Sequence, residues 1–317
     1  MTKVASLAFI FPGQGSQSVS MLSELASKHS VVTDVFAEAS ENLNYDLWKL
    51  VQNGPDETLK QTDKTQPAML AAGVACWRAW TQQTEIKPAL MAGHSLGEYT
   101  ALVCAEALDF AAAIKLVAQR GRFMQQAVPE GQGGMAAILG LDDDQVRALC
   151  EEAAQGEIIS AVNFNSPGQV VIAGTATAIA RAVDNAKDAG AKRALLLPVS
   201  VPSHCELMLP AAENMRQLLS DIEFKTPLIP VINNVDVAQA DSADSIRDAL
   251  VRQLHNPVRW VETIQAMVAA NINYSVEAGP GKVLSGLNKR IDRSITALPV
   301  FDSASLDKAI TAINEHL

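Results

Sequence analysis

The chain has 317 residues, is 48% hydrophobic and carries a formal net charge of -10, which suits one large folded unit or a core with a smaller unit attached and excludes a disordered chain. The acidic balance offers no global attraction to nucleic acid or anionic lipid, and no apolar run approaches the roughly 18 residues that cross a bilayer. Cys76, Cys104, Cys150 and Cys205 stand far apart with no Cys-x-x-Cys pair, so neither a zinc site nor a disulfide frame is expected.

Residues 4–11, VASLAFIF, form an apolar run that stops at Pro12-Gly13 and predicts a buried strand. The N-terminus has no small-residue cleavage site, so a cytoplasmic protein is expected. VVTDVFAEASENL, YDLWKLVQ and QPAMLAAGVACWRAWTQQ carry apolar residues at three- and four-residue spacing, as helices packed on a sheet do. PALMA, at 88–92, predicts a second strand. From residue 134 the rhythm is strand, helix, strand, strand, helix, strand: GMAAILG, DDDQVRALCEEAA, IISAVNF, QVVIAGT, TAIARAVDNAKDAGA and RALLLPVS. That order matches a ferredoxin-like βαββαβ unit, with NSPGQ as the middle hairpin and Asp142 to Asp144 at a helix start. TPLIPVINNVD, VRWVETIQAMVAA and INYSVEAGPGKVL then resume strand and helix. The expected fold class is α/β: an α/β-hydrolase-like core formed by 1–127 and 202–317, interrupted by a ferredoxin-like subdomain at 128–201.

Gly93-His94-Ser95-Leu96-Gly97 lies between the second strand and a helical segment, the setting of a nucleophile elbow. The bland alternative is a serine at an ordinary turn. Leu96 would give a backbone N–H to an oxyanion hole. Of five histidines, His94 adjoins the serine and points elsewhere, His29 lies in a polar stretch, and His316 is next to last. His204, in a loop at a subdomain junction, is favoured as the base over His255, which also suits a helix C-terminus. The loop Phe11-Pro12-Gly13-Gln14-Gly15-Ser16-Gln17 has Ser18 where a dinucleotide fingerprint needs its third glycine, so a second oxyanion N–H, from Gln14, is the better functional use. In AAAIKLVAQRGRFMQQAV, Arg122 has glutamines three and four residues away, whereas Arg120 has Leu116, Val117, Phe123 and Met124. A guanidinium in apolar surroundings needs an anion, either an internal carboxylate or a substrate.

FPGQGSQ, TQPA, GHSLGEY, VNFNSPGQVVIAG, VPSHCELM, RQLHNPV and EAGPGKVL, in that order, closely resemble the bacterial malonyl-CoA:acyl carrier protein transacylases of fatty acid synthesis, across residues 7 to about 290. The resemblance implies that Ser95 is acylated, His204 is the base, Gln14 and Leu96 supply the oxyanion N–H groups, and Arg120 clamps the malonyl carboxylate beside Gln66. It further implies that the Gln253 backbone carbonyl orients the histidine, and that Asn163, Asn165 and Arg193 lie near the coenzyme A chain. The expected substrates are malonyl-CoA and a phosphopantetheinylated acyl carrier protein, with no metal or bound cofactor. Lys282, Lys289 and Arg290 are a candidate docking patch for an acidic carrier. A serine thioesterase or esterase of the same fold, and a non-catalytic acyl-carrier-binding module, are the competing readings.

Overall fold

In the computed structural model, residues 2–199 and 201–315 are described, and His316 lies outside them. The described residues form nine strands: β1 (Thr2–Phe11), β2 (Ile86–Gly93), β3 (Gly133–Leu139), β4 (Ile159–Ser166), β5 (Gln169–Thr175), β6 (Arg193–Leu196), β7 (Val231–Ile232), β8 (Tyr274–Ala278) and β9 (Thr296–Val300). Five make an all-parallel sheet in the order β7-β2-β1-β8-β9. β1 is central because its near-continuous apolar run can be buried on both faces, which parallel sheets require. Phe9 on β1 meets Trp77 and Trp80 edge-on at ring distances of 4.9 and 5.0 Å, docking the 22-residue helix Thr62–Gln83 against the sheet.

The other four strands form an antiparallel sheet ordered β4-β5-β3-β6, with Ile138, Val146, Leu149, Ile172 and Ile179 in a core of their own. The order and the two intervening helices, Asp143–Ala154 and Ala176–Asn185, are those of a ferredoxin-like βαββαβ unit. Asp142 opens the first helix with a capping box: its carboxylate accepts from Gln145 N while Gln145 Oε1 accepts from Asp142 N. β4 is tied to the large unit at Val258, whose N–H donates to Val162 O at 2.8 Å, whose carbonyl accepts from Phe164 N at 3.1 Å, and whose side chain shares a core with Ala8 and Ile10 of β1.

The apolar run before Asn233 predicts a fuller strand than is found. β7 has two residues, because Asn233 and Asn234 turn the chain away and Asn233 N bonds Ala238 O instead of continuing the ladder. That early ending places Asn234 beside the serine loop.

Candidate active site

The site stands at the carboxyl ends of β7, β2 and β1, where open α/β sheets gather ligands. β2 ends at Gly93, and the helix Gly97–Cys104 starts four residues later. Ser95 sits between them in the left-handed region at φ 51°. Such a turn leaves no room at either flank: a Cβ on Gly93 would lie 1.8 Å from Gly97 C, and one on Gly97 would lie 2.0 Å from Phe11 O. Both glycines are therefore demanded by close approach of backbone to backbone. Asn234 braces the turn from β7, accepting from Ser95 N at 2.7 Å and donating from Nδ2 to Gly93 O at 2.7 Å.

Ser95 Oγ is 2.8 Å from His204 Nε2. On the far side of the ring, His204 Nδ1 is 2.7 Å from the backbone O of Gln253. A carbonyl can only accept, so Nδ1 carries the proton and Nε2 is left as an acceptor for the serine hydroxyl. His204 is buried at φ 69°, its own N–H bonded to Leu254 O at 3.0 Å. Burial, and then the charge of Arg120, push its pKa down to about 3, which keeps the imidazole neutral. No carboxylate occupies the third position of the triad. His255, the rival candidate, is half-buried and keeps to the end of its own helix, with its N–H on Arg252 O.

Arg120 projects from the helix Phe110–Ala127 and is 1% exposed. Its Nη2 donates to Gln253 Oε1 at 3.0 Å and approaches Ser95 Oγ at 3.4 Å, while its guanidinium lies 5.4 Å from the Tyr99 ring centre. Among the described residues it makes no salt bridge, and its Nε has no partner. In place of a direct ion pair, the Gln253 amide connects Arg120 to the buried Glu98, accepting from Arg120 at Oε1 and donating to Glu98 from Nε2. A buried cation with an unpaired Nε–H beside a serine suits an anionic group. Arg122, two residues on, is exposed.

Gln14, Ser95, Leu96, Arg120, Asn163 and His204 border one cavity of about 100 Å³, whose other walls include Met124, Met135, Leu197, Val199 and Val201. Gln66 is buried behind Met124, donating to its Sδ at 3.4 Å, and its Oε1 has no partner among the described residues. Asn163 Oδ1 is likewise buried without a partner. Asn165 contacts His94 Nε2 at 2.8 Å and so ties the antiparallel sheet to the serine loop. Arg193 is not brought to the cavity: it is exposed at the start of β6, paired with Leu139, four residues before Leu197. Lys282 and Lys289 are exposed, whereas Arg290 donates to Gln169 Oε1 at 2.7 Å.

The family model for the acyl transferase domain matches residues 8–299. The malonyl CoA-acyl carrier protein transacylases of Salmonella typhimurium and Bacillus subtilis are 57% and 41% identical, over 97% and 99% of this chain and 100% and 99% of theirs. The chain belongs to this acyl transferase family. Among solved structures, the malonyl-CoA:acyl carrier protein transacylase of Xanthomonas oryzae superposes with a TM-score of 0.97 at 50% identity, covering 98% of this chain and 99% of that one. A type II PKS acyl-carrier protein in complex with its malonyl-transacylase gives 0.96 at 56% identity, covering 97% and 99%. Acyl transfer through a covalent ester needs a nucleophile and a base on one cavity, and Ser95 and His204 stand in that relation here.

Two site residues escaped the sequence reading. Glu98 is 2% exposed, and its Oε2 accepts from Gln253 Nε2 at 2.8 Å and from Asn234 N at 2.9 Å. Burial raises its pKa to about 7. A lone carboxylate in the otherwise uncharged helix GEYTALVC was the available signal. Asn234 left only the trace of an asparagine pair ending an apolar run.

Proposed function

We propose that this protein transfers the malonyl group from malonyl-CoA to the phosphopantetheine thiol of an acyl carrier protein through a malonyl-serine intermediate. The observation that carries the reading is Ser95 Oγ held 2.8 Å from His204 Nε2 with the Arg120 guanidinium 3.4 Å away. Arg120 pairs with the free carboxylate of the malonyl group, which brings the thioester carbon to Ser95. His204 Nε2 takes the serine proton as Oγ attacks, and the Gln253 carbonyl steadies the imidazolium that results. The backbone N–H groups of Gln14 and Leu96 receive the oxyanion. Collapse breaks the C–S bond, and His204 returns the proton to the leaving coenzyme A thiolate. The carrier thiol then repeats these steps in reverse order on the malonyl ester, leaving malonyl-carrier and free serine.

As written, the reaction draws on the two acyl carriers alone, with no metal or bound cofactor. Asn163 and Asn165 fit a position along the coenzyme A chain because β4 brings both to the mouth of the elbow, and Arg193 fits a more distant contact with its phosphates. Among the described residues no helix is long and apolar enough to cross a membrane, and a cytoplasmic site of action suits a protein working on coenzyme A thioesters. Hydrolysis to free malonate is the competing outcome. Mass spectrometry after mixing with malonyl-CoA, followed by addition of carrier protein, tests the reading: a malonyl adduct on Ser95 that moves to the carrier supports it. An adduct lost only to water replaces transfer by hydrolysis.

A further inference from the structure

A buried carboxylate is costly unless hydrogen-bonded, and Glu98 Oε2 takes two donors that each belong to a different part of the site. Asn234, through its N–H, connects Glu98 to the elbow, since Asn234 Oδ1 and Nδ2 hold Ser95 N and Gly93 O. Gln253, through Nε2, connects it to everything else. The same amide nitrogen reaches Ser95 O at 3.1 Å, Gln253 Oε1 accepts from Arg120 Nη2 at 3.0 Å, and the Gln253 backbone O holds His204 Nδ1. A glutamine amide has two ends that differ only in polarity, and its orientation is decided by its neighbours. Glu98 Oε2 already takes the Asn234 N–H, so a proton gained by the group goes to Glu98 Oε1 and Oε2 still accepts; in either state Glu98 holds Gln253 Nε2 and leaves Gln253 Oε1 for Arg120.

We infer that Glu98 is a positioning residue for substrate selection: by fixing the polarity of the Gln253 side chain it aims the Arg120 guanidinium at the acyl carboxylate. The inference rests on the clamp role of Arg120 argued above. It separates two functions of one residue, because the Gln253 side chain serves the clamp and its backbone serves the base. Glu98 touches no reacting atom, so its removal acts on selection through Arg120 and does not delete a catalytic group.

The test is the ratio of kcat/KM for malonyl-CoA to that for acetyl-CoA, measured in the wild type, Glu98→Gln, Gln253→Met, the double variant and Arg120→Ala. Glutamine at 98 keeps the shape but presents either polarity, so the ratio should fall on the order of ten-fold, the scale of one lost buried hydrogen bond to a charged group. Gln253→Met keeps the backbone carbonyl and removes the amide, so the ratio should fall similarly while acetyl transfer falls by a smaller factor. The double variant should lose little more than either single, since both break one connection. Equal losses for the two substrates in Gln253→Met, or additive losses in the double variant, would overturn the inference even if Glu98→Gln folds poorly. An unchanged ratio in Arg120→Ala would instead overturn the clamp, whereas a collapsed ratio there beside an unchanged one in Glu98→Gln and Gln253→Met sinks the positioning role alone.

Discussion

The two walls of the cavity are built on different physical terms. On the parallel-sheet side, Ser95, Glu98, Arg120, His204, Asn234 and Gln253 form a polar network in which all but the serine are buried, each with at least one partner between 2.7 and 3.4 Å. On the antiparallel side, Met135, Leu197 and Val199 offer apolar surface beside the single amide of Asn163, and the edge strand β6 leaves Leu195 and Leu196 exposed at 49% and 65%. The contrast teaches that the groups needing fixed geometry and shifted basicity lie where burial is deepest, while the other wall bounds the space. Substitutions on the first side should change chemistry and selection steeply, and those on the second should be graded.

The largest effect belongs to the serine. Ser95→Ala removes one hydroxyl and should lower malonyl transfer by more than about a thousand-fold, with no adduct by mass spectrometry. Near wild-type transfer by that variant would end the covalent mechanism and the primacy of this wall. Next is Arg120→Ala. Truncating one member of a desolvated charge pair typically removes about 2 to 5 kcal/mol, so kcat/KM for malonyl-CoA should collapse. Acetyl-CoA brings no carboxylate to strand, so its transfer should fall little or rise, and Arg120→Lys should rescue poorly because a point charge lacks the planar fork. Loss of both activities together would return Arg120 to a structural role.

The buried network also gives a signature in stability against pH. His204 has a folded pKa of about 3 against 6.5 in the unfolded chain, so the unfolded state binds more protons between those values and stability is lost as pH falls through that window. Glu98 has the opposite sign: at about 7 against 4.5, the folded state holds the extra proton, and stability is lost as pH rises between them. Urea midpoints across this range should therefore show His204→Gln gaining on the wild type toward acid and Glu98→Gln gaining on it toward neutrality. Parallel curves for all three proteins would mean that neither group has a shifted pKa.

The smallest effects lie on the open side. Arg193→Ala should raise the KM for malonyl-CoA a few-fold at most, since the residue is solvated and outside the cavity. Charge reversal at Lys289 should raise the KM for the carrier at low salt and spare that for malonyl-CoA. An Arg193 effect matching that of Arg120 would erase the distinction between the walls.

The sequence by itself carried the elements and the candidate serine. Apolar runs stop at glycine-rich loops, so β1, β2 and the elbow were readable; the βαββαβ rhythm fixed the antiparallel sheet; and the neighbours of Arg120 announced a buried guanidinium. Such patterns are local, and burial imposes them on consecutive residues. The choice between His204 and His255 came from loop position and family resemblance, whereas the 2.8 Å contact to Ser95 joins residues 109 positions apart and exists only once the chain between them has folded. Glu98 and Asn234 are 136 residues apart, and Glu98 and Gln253 are 155 apart. Hydrogen-bond partners at such separations leave no periodicity, because a polar side chain reads alike in sequence whether it meets water or another buried group. Tertiary structure alone decided that these residues meet, since only the packing of β7 and the helix Ala243–Gln253 against the elbow removes the water that would otherwise satisfy them.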